Sequence, residues 1–298
     1  MRVFVTGASG FIGSAIVPEL ISAGHQVLGL ARSDAAAHSL TAAGAQILRG
    51  NLEDGDSLRS GVAQSDGVVH TAFNHDFSRF QANCEVERRA IEAMAEALAG
   101  SSRPMIISSG VALLAPGRLS TEDLAADPNS PVPRVVTEVT ADALAARGLH
   151  ISVIRLAPTV HGDGDHGFVP MLINMAREKG VAAYVGDGNN RWPAVHRLDA
   201  ARVFRLALEK SAIGGRYHAI AEEGVPFREI ATVIGRRLNI PLVSKTPEEA
   251  QTHFGWFAHF ASIDAPASSR KTREVLSWEP RQVELIADLE RGRYFEKE

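Results

Sequence analysis

The chain has 298 residues, of which 45% are hydrophobic, and carries a formal net charge of −4. This length can bury an ample core in one large domain or two fused lobes, and the charge lacks the basic excess typical of nucleic-acid binding. The single cysteine, Cys84, excludes an intramolecular disulfide and favours a reducing compartment. No apolar run reaches the roughly 20 residues of a membrane-spanning helix, and we recognise no signal peptide before the first predicted strand. We therefore expect a soluble cytoplasmic protein with neither membrane nor nucleic-acid partners.

Apolar, strand-like segments alternate with helical segments in the first half of the chain. Strands are predicted at 2–6, 26–30, 45–48, 67–71, 104–108 and 150–156, and helices at 11–23, 34–43, 79–99 and 134–147. Because these strands are apolar on both faces, the alternation predicts an α/β fold, a doubly wound parallel sheet covered by helices. After residue 156 the alternation gives way to loops and shorter elements, which indicates a smaller C-terminal lobe.

The segment VTGASGFIG, residues 5–13, places three glycines where the first predicted strand turns into a helix. Glycine permits a tight turn and a close approach of the backbone to a pyrophosphate, and the following helix offers unpaired N–H groups. The strand–turn–helix context favours a dinucleotide site of the Rossmann type, although an ordinary turn without a ligand has the same pattern. The predicted cofactor contacts here are Thr6, Gly7, Ser9, Gly10, Phe11, Ile12 and Gly13.

The end of the second predicted strand bears on which cofactor is bound. A carboxylate usually stands there to hold the ribose 2′-hydroxyl of NAD, but this chain has Ala31, Arg32 and Ser33. A guanidinium can pair with a 2′-phosphate, so the sequence favours NADP over NAD, with Arg32 and Ser33 as contacts. Asp34, a carboxylate close to this position, leaves NAD as the alternative cofactor. Arg32 could also be a solvated charge of the loop without a ligand.

Several further motifs accompany the glycine turn: GNLED at 50–54, VVHTAF at 68–73, IISSG at 106–110, VIRLAPTVHG at 153–162 and SSRKTREVLSWEP at 268–280. Together with TGASGFIG, they resemble the extended short-chain dehydrogenase/reductase superfamily, of the NAD-dependent epimerase/dehydratase kind, over nearly the whole chain. The segment at 192–209 resembles the part of the family that returns to the core. The resemblance implies a dinucleotide-binding Rossmann domain at 1–160, to which 190–215 returns, and a mainly substrate-binding lobe at 161–298.

The same resemblance implies further cofactor contacts near the adenine, beside the cofactor and behind the nicotinamide. They are Asn51, Leu52, Thr71, Ala72, Phe73, Pro158, Thr159 and Val160. The helices at 79–99 and 134–147 are Ala-rich on one face, and the matching pair in relatives builds a dimer. A homodimer is therefore one expected arrangement, and packing of this face within one chain is the other.

The catalytic pair of the family, Tyr-x-x-x-Lys on the helix before the sixth strand, is missing from this chain. Its three tyrosines, Tyr184, Tyr217 and Tyr294, are followed four residues later by Gly188, Ala221 and Glu298. The usual family spacing from Arg155 places Ser130 in the tyrosine position and Arg134 in the lysine position. Arg134 can hold a ribose or a phosphate, but a guanidinium does not relay protons, and the Ser130 hydroxyl is a poor acid.

Two other residues are candidates for the missing proton donor. Ser109 follows the fifth strand and could reach a carbonyl oxygen, although a hydroxyl bonded to backbone is equally expected there. His75 follows the fourth strand, at the carboxyl edge of the sheet where ligands bind, and it titrates near neutral pH. Asn74 could orient His75 or the substrate, and the alternative is a surface loop with no function.

Substrate contacts are predicted from the second lobe, at Asn190, Arg191 and Trp192. His161 follows the nicotinamide-side turn and is a further candidate. The acidic and histidine residues of HGDGDHGF, 161–168, lack the geometry of ligands, so no metal site is predicted. The aromatic segment HFGWFAHF, 253–260, is interpreted as lobe core or lid, with Trp256 and Phe257 as alternative walls of the pocket.

Three functions fit this sequence. The favoured one is an NAD(P)-dependent oxidoreductase, an NADPH-dependent reductase of a small carbonyl compound that works without the usual tyrosine. The second is a sugar-nucleotide epimerase or dehydratase, which the loss of tyrosine and lysine opposes. The third is a non-catalytic NADP-binding protein that senses redox state and regulates a partner.

Overall fold

The computed structural model of the protein describes residues 1–114, 116–291 and 293–296. Its strands are β1 Arg2–Thr6, β2 Gln26–Ala31, β3 Gln46–Arg49, β4 Gly67–His70, β5 Met105–Gly110, β6 Ile151–Leu156, β7 Thr159–His161, β8 Ala182–Val185, β9 Arg191–His196, β10 Gly215–Ala219, β11 Glu222–Pro226 and β12 Leu242–Lys245. Its α-helices are α1 Gly13–Ser22, α2 Asp34–Ala42, α3 Gly55–Ala63, α4 Phe80–Leu98, α5 Val136–Ala146, α6 Phe168–Lys179, α7 Arg197–Lys210, α8 Phe227–Leu238, α9 Pro247–Phe254, α10 Ala258–Ser262, α11 Arg270–Leu276 and α12 Leu285–Glu290.

Seven of these strands form one parallel sheet in the order β3-β2-β1-β4-β5-β6-β10. Successive side chains of a strand point to opposite faces, and β1 shows the consequence. Val3 and Val5 pack into one core with α1 and α7, whereas Phe4 packs into another with α3 and α4. Helices thus cover both faces of the sheet, and the predicted α/β fold of the Rossmann type is confirmed.

Two elements differ from the sequence prediction. Helix α3 was not predicted, although Asp54 caps it by accepting the N–H groups of Asp56 and Ser57, both at 3.1 Å. The helix predicted at 134–147 begins with a separate 3₁₀ turn, Pro133–Val135, before α5.

The second lobe has its own core and two small sheets. Strands β7, β9 and β11 form one sheet, and β8 pairs with β12. Trp192, Phe227 and Phe257 are fully buried in this core. After residue 196 the chain leaves this lobe and returns to the large sheet. There α7 packs against α1, and β10 pairs with β6.

A buried polar chain joins β6 to its neighbours. The Arg155 guanidinium of β6 bonds the Glu138 carboxylate of α5 at 2.6 and 2.9 Å, and both side chains are 0% exposed. Arg155 also donates to Leu124 O at 2.8 Å and lies 3.3 Å from Nε2 of His218 on β10. Burial lowers the pKa of His218 to about 4, so its neutral ring can donate from Nδ1 to Ser268 O at 2.7 Å.

Replacing Arg155 should show how strongly the stability of the fold depends on this buried polar chain of side chains. Arg155→Met leaves Glu138 as an unpaired buried carboxylate, so we expect a loss of about 3–5 kcal/mol in the free energy of unfolding. Urea denaturation measures that loss, and Glu138→Gln/Arg155→Met should recover part of it because no buried charge is then unpaired.

The matched control is Arg88→Met, which breaks a partly exposed pair with Glu92 on α4. Such pairs contribute roughly 0–1 kcal/mol. Equal losses in Arg155→Met and Arg88→Met would contradict the importance given to the buried chain.

Candidate cofactor and active site

The glycine turn between β1 and α1 is shaped by close backbone contacts. Gly7 has a φ of +68°, and a Cβ there would lie 2.6 Å from Ala72 N. A Cβ on Gly13 would lie 2.0 Å from Gly7 O, whereas at Gly10 it would meet only that oxygen, at 3.2 Å. The turn is therefore packed against the β4 loop on one side and open at Gly10.

The open side of the turn presents hydrogen-bond donors. Within the described residues, the backbone N–H groups of Phe11 and Ile12 donate to no acceptor. Unpaired N–H groups at a helix N-terminus are well suited to a pyrophosphate. The predicted contacts from Thr6 to Gly13 thus fit a dinucleotide, except that the buried Thr6 hydroxyl bonds His70 Nδ1 at 2.7 Å.

The ends of β2 and β3 place the residues that were predicted to select the cofactor. Arg32 is exposed and forms no ion pair with any described residue. Ser33 caps α2 by accepting the Ala36 N–H at 3.2 Å. Asp34 pairs with Arg49 of β3. The Asp34 carboxylate, on which the alternative of NAD binding rests, is therefore already paired with a cation.

Other predicted cofactor contacts make local bonds. Asn51 Oδ1 accepts the Glu53 N–H at 2.8 Å, and the Thr71 hydroxyl donates to Thr6 O at 3.0 Å. Thr159 is buried and donates to Pro193 O. The side chains of Leu52, Ala72, Phe73, Pro158 and Val160 are partly exposed. Cofactor binding by these residues stays a prediction.

Arg134, which was predicted to take the lysine position, is held by α4 and α5. Its guanidinium pairs with Glu87, donates to the Thr137 hydroxyl at 2.6 Å and lies 4.0 Å over the Phe73 ring. The Thr137 hydroxyl donates in turn to Glu87 Oε2 at 2.6 Å. Burial lowers the pKa of Arg134 to about 10, which leaves it a cation at neutral pH.

Glu87 was missed by sequence reasoning, although a signal for it exists. It is 0% exposed and falls in the helical stripe of α4 that carries Cys84, Ile91 and Met94 into the core. A carboxylate in such a stripe needs a buried partner. Glu87 also lies 3.8 Å from Nε2 of His70, whose pKa is lowered to about 3 by burial and then by the charge of Arg134.

The two serines proposed as hydroxyl donors have other bonds. Ser109 is 5% exposed, and its hydroxyl donates to Glu138 Oε1 at 2.7 Å. Ser130 lies before the 3₁₀ turn rather than on a helix, and its oxygen accepts the Val132 N–H at 3.3 Å. Ser130 thus lies outside the helix on which the tyrosine position was expected, and its catalytic role stays a prediction.

His75 lies in the loop after β4, on the exposed side of Phe73. The two rings are 5.1 Å apart, and desolvation, followed by the charge of Arg134, lowers the pKa of His75. Asn74 Oδ1 accepts the Asp76 N–H at 3.1 Å, and Asn83 of α4 donates to Asn74 O at 3.1 Å. These bonds hold the loop that carries His75. The Asn74 side chain therefore bonds within the loop.

The predicted substrate residues of the second lobe have partners inside the protein. His161 is buried with Nδ1 2.9 Å from Asp288 Oδ2, and Trp192 is buried and donates to Phe260 O at 3.1 Å. These positions do not support a substrate role for either residue. Two others make structural bonds at the surface, Asn190 with Ala261 O and Ile263 O and Arg191 with Asp264.

Among residues 1–114, 116–291 and 293–296, no three His, Cys, Asp or Glu side chains are grouped as metal ligands. No described helix combines the length and the apolar character that crossing a membrane requires.

Glu87→Gln should weaken dinucleotide binding, because the amide no longer holds the Arg134 guanidinium by charge. A hydrogen bond to a charged group contributes about 1.5–3 kcal/mol, so we expect roughly tenfold weaker binding of reduced dinucleotide, measured by nicotinamide fluorescence. Glu92→Gln, on the exposed part of α4, is the control and should bind normally. Unchanged affinity in Glu87→Gln would separate Arg134 from the cofactor site.

Known proteins resemble this chain over most of its length. An uncharacterised protein of Schizosaccharomyces pombe is 54% identical over 296 residues, 99% of this chain and all of that protein. The 2-alkyl-3-oxoalkanoate reductase of Stenotrophomonas maltophilia is 30% identical over 263 residues, 82% of this chain and 78% of the reductase. The dTDP-glucose 4,6-dehydratase DesIV of Streptomyces venezuelae has a TM-score of 0.76 and 21% identity, covering 98% of this chain and 96% of the dehydratase, and shares the fold.

A family model covers the whole of the large sheet. Residues 3–220, from β1 through β10, match the NAD dependent epimerase/dehydratase family. This match agrees with the glycine turn, the strand order and the resemblance of the motifs. The chain belongs to the NAD-dependent epimerase/dehydratase family.

Proposed function

We propose that this protein is an NADPH-dependent reductase of carbonyl compounds that works without the family tyrosine. The observation that carries the proposal is the largely buried, protonated Arg134, fixed by Glu87 and Thr137 at the carboxyl edge of the sheet. It keeps the cation of the catalytic pair while the acid is lost. The 30% identity to a reductase over most of the chain supports the same reaction class.

NADPH is preferred to NADH in this proposal because of the residues after β2. Arg32 offers an exposed guanidinium without a described ion pair, whereas the nearby Asp34 carboxylate is paired with Arg49. A free guanidinium beside the ribose favours a 2′-phosphate over a 2′-hydroxyl. Ser33, at the N-cap of α2, can add a hydroxyl to the same phosphate.

When bound, NADPH supplies a hydride to the carbonyl carbon of the substrate. Arg134 holds the nicotinamide ribose and, as a nearby cation, stabilises negative charge on the substrate oxygen. His75 donates the proton that this oxygen needs and regains one from solvent, to which its loop is exposed. Ser109 and Ser130 serve the structure, since Ser109 donates to Glu138 and Ser130 precedes the helix.

An epimerase or dehydratase is the second candidate. The fold shared with a sugar-nucleotide dehydratase over 98% of the chain favours it. Those reactions return the hydride to the substrate and leave the cofactor unchanged overall, whereas a reductase consumes one NADPH for each product formed. Net oxidation of NADPH therefore distinguishes the two.

Arg32→Ala tests the proposed reaction and its cofactor together. The wild-type protein should oxidise NADPH only when an aldehyde or ketone is present. Arg32→Ala should lower kcat/KM for NADPH by roughly 10–100-fold, the equivalent of one charge-assisted hydrogen bond, and leave NADH unaffected. The measurement is the fall in NADPH absorbance.

Arg59→Ala, an exposed arginine of α3 that pairs with Asp56, is the control and should behave as wild type. A wild type that binds NADPH but oxidises none of it with any carbonyl compound would refute the reductase. Equal losses with NADPH and NADH would refute the role of Arg32.

His75 should give the reaction its pH dependence. Since the pKa of His75 is lowered from the ordinary value of about 6.5, its acid form is populated only at lower pH. We expect kcat/KM to fall as pH rises through that lowered pKa. His75→Gln should lose about 100-fold at low pH, a typical contribution of a general acid, and much less above neutrality.

His259→Gln, an exposed histidine of α10, is the control for the pH profile. It should keep both the rate and the pH dependence of the wild type. A His75→Gln profile with the wild-type shape would assign the proton to water.

A further inference from the structure

A continuous series of aromatic rings leads from Arg134 to the second lobe. Phe73 lies under the Arg134 guanidinium, and its centroid is 6.0 Å from that of Phe80. Phe80 is 5.6 Å from Phe77, and Phe77 stacks on Trp256 at 4.9 Å with 28° between the planes. The segment after β4 and the 3₁₀ turn Gly255–Phe257 therefore meet here through stacked aromatic faces.

Trp256 is placed unlike the other two tryptophans. Trp192 and Trp278 are 0% exposed, whereas Trp256 is 53% exposed although it stacks on Phe77. The core of the second lobe is built by Phe227, Phe257 and Trp192 and does not need it. A large exposed ring at the junction of two lobes is typical of a ligand surface.

The proton donor of the proposed reaction stands beside this series. The His75 ring is 5.1 Å from Phe73 and 6.3 Å from Phe77. A carbonyl that accepts a proton from His75 therefore lies close to the Phe77 ring, which stacks on Trp256. Arg191 of the second lobe, a predicted substrate contact, is tied to Asp264 by two bonds of 2.9 Å.

We propose that the substrate is an aryl carbonyl compound whose ring binds in a slot bordered by the stacked pair Phe77 and Trp256, against the part of Trp256 that the stack leaves exposed. This inference rests on the proposed function and adds the substrate class. Phe77 and Trp256 stay in contact, and the flat apolar part of the ligand covers the free face of Trp256. Phe260, 6.3 Å from Phe77 and 6.1 Å from Trp256, forms the base of the slot.

Quenching of tryptophan fluorescence by acrylamide tests the slot without turnover. Trp256 is the tryptophan that acrylamide can reach, since Trp192 and Trp278 are buried. With NADP⁺ present, 2-acetylnaphthalene should lower the quenching constant about twofold or more, because one ring face of Trp256 becomes covered. Trp256→Phe should abolish the quenchable component and thereby show that the signal is local.

Steady-state kinetics provides a second test of the slot. Phe77→Ala should lower the preference of the enzyme for 2-acetylnaphthalene over glyceraldehyde, expressed as a ratio of kcat/KM values, by about tenfold, the value of one lost aromatic contact surface. His259→Ala, an exposed neighbour on α10, should keep the wild-type ratio. An unchanged ratio in Phe77→Ala would overturn the slot.

The outcomes separate this inference from the reductase itself. Protection of Trp256 by UDP-glucose but not by 2-acetylnaphthalene would overturn the aryl substrate. Reduction of glyceraldehyde without protection by the aryl ketone would also overturn it and leave the reductase standing. Protection by the aryl ketone without NADPH oxidation would support the slot while refuting the reductase.

Discussion

The buried ion pair between Arg155 and Glu138 is the interaction on which the site depends. It joins the C-terminal end of β6 to the first turn of α5, and neither side chain is exposed. A buried pair of this kind needs further bonds to satisfy the remaining polar atoms, and Leu124, Ser109 and His218 supply them. The position of α5 is thereby fixed against the sheet.

Two adjacent residues of α5 connect the buried ion pair to the proposed site. Thr137 and Glu138 are adjacent, so the residue that bonds Arg155 and the residue that bonds Arg134 belong to the same turn. The second buried carboxylate, Glu87, then holds Arg134 from α4. Two guanidinium–carboxylate pairs thus hold this edge of the sheet. A guanidinium does not relay protons at neutral pH, so the proposed reaction takes its proton from His75 in the adjacent loop.

The sequence was most informative where local chemistry decides the structure. The glycine turn was predictable because Gly7 and Gly13 tolerate contacts that a Cβ would block. The strands were predictable because both faces are apolar. Helix α3 was overlooked because only Leu58 and Val62 give its buried stripe, and the cap at Asp54 is a weaker signal.

The partners of polar side chains were not predictable, because they come from distant parts of the chain. Ser109 bonds Glu138, Arg191 bonds Asp264, and neither pair is visible from spacing. The register of Ser130 rested on the usual family spacing from Arg155, and the structure places Ser130 before the 3₁₀ turn Pro133–Val135 rather than on a helix. The aromatic contact of Phe77 with Trp256 joins segments 179 positions apart in sequence, from residue 77 to residue 256, and only the folded chain brings them together.

The most direct test of the account is the fate of the transferred hydrogen. The protein is supplied with NADPH that carries deuterium at one of the two C4 positions of the nicotinamide, and with an aryl ketone, and the product is examined by mass spectrometry. The account predicts an alcohol with a single deuterium on the carbinol carbon from one of the two labelled forms, with one NADPH oxidised per alcohol. An altered substrate that lacks deuterium with both labelled forms, while NADPH stays reduced, would contradict it.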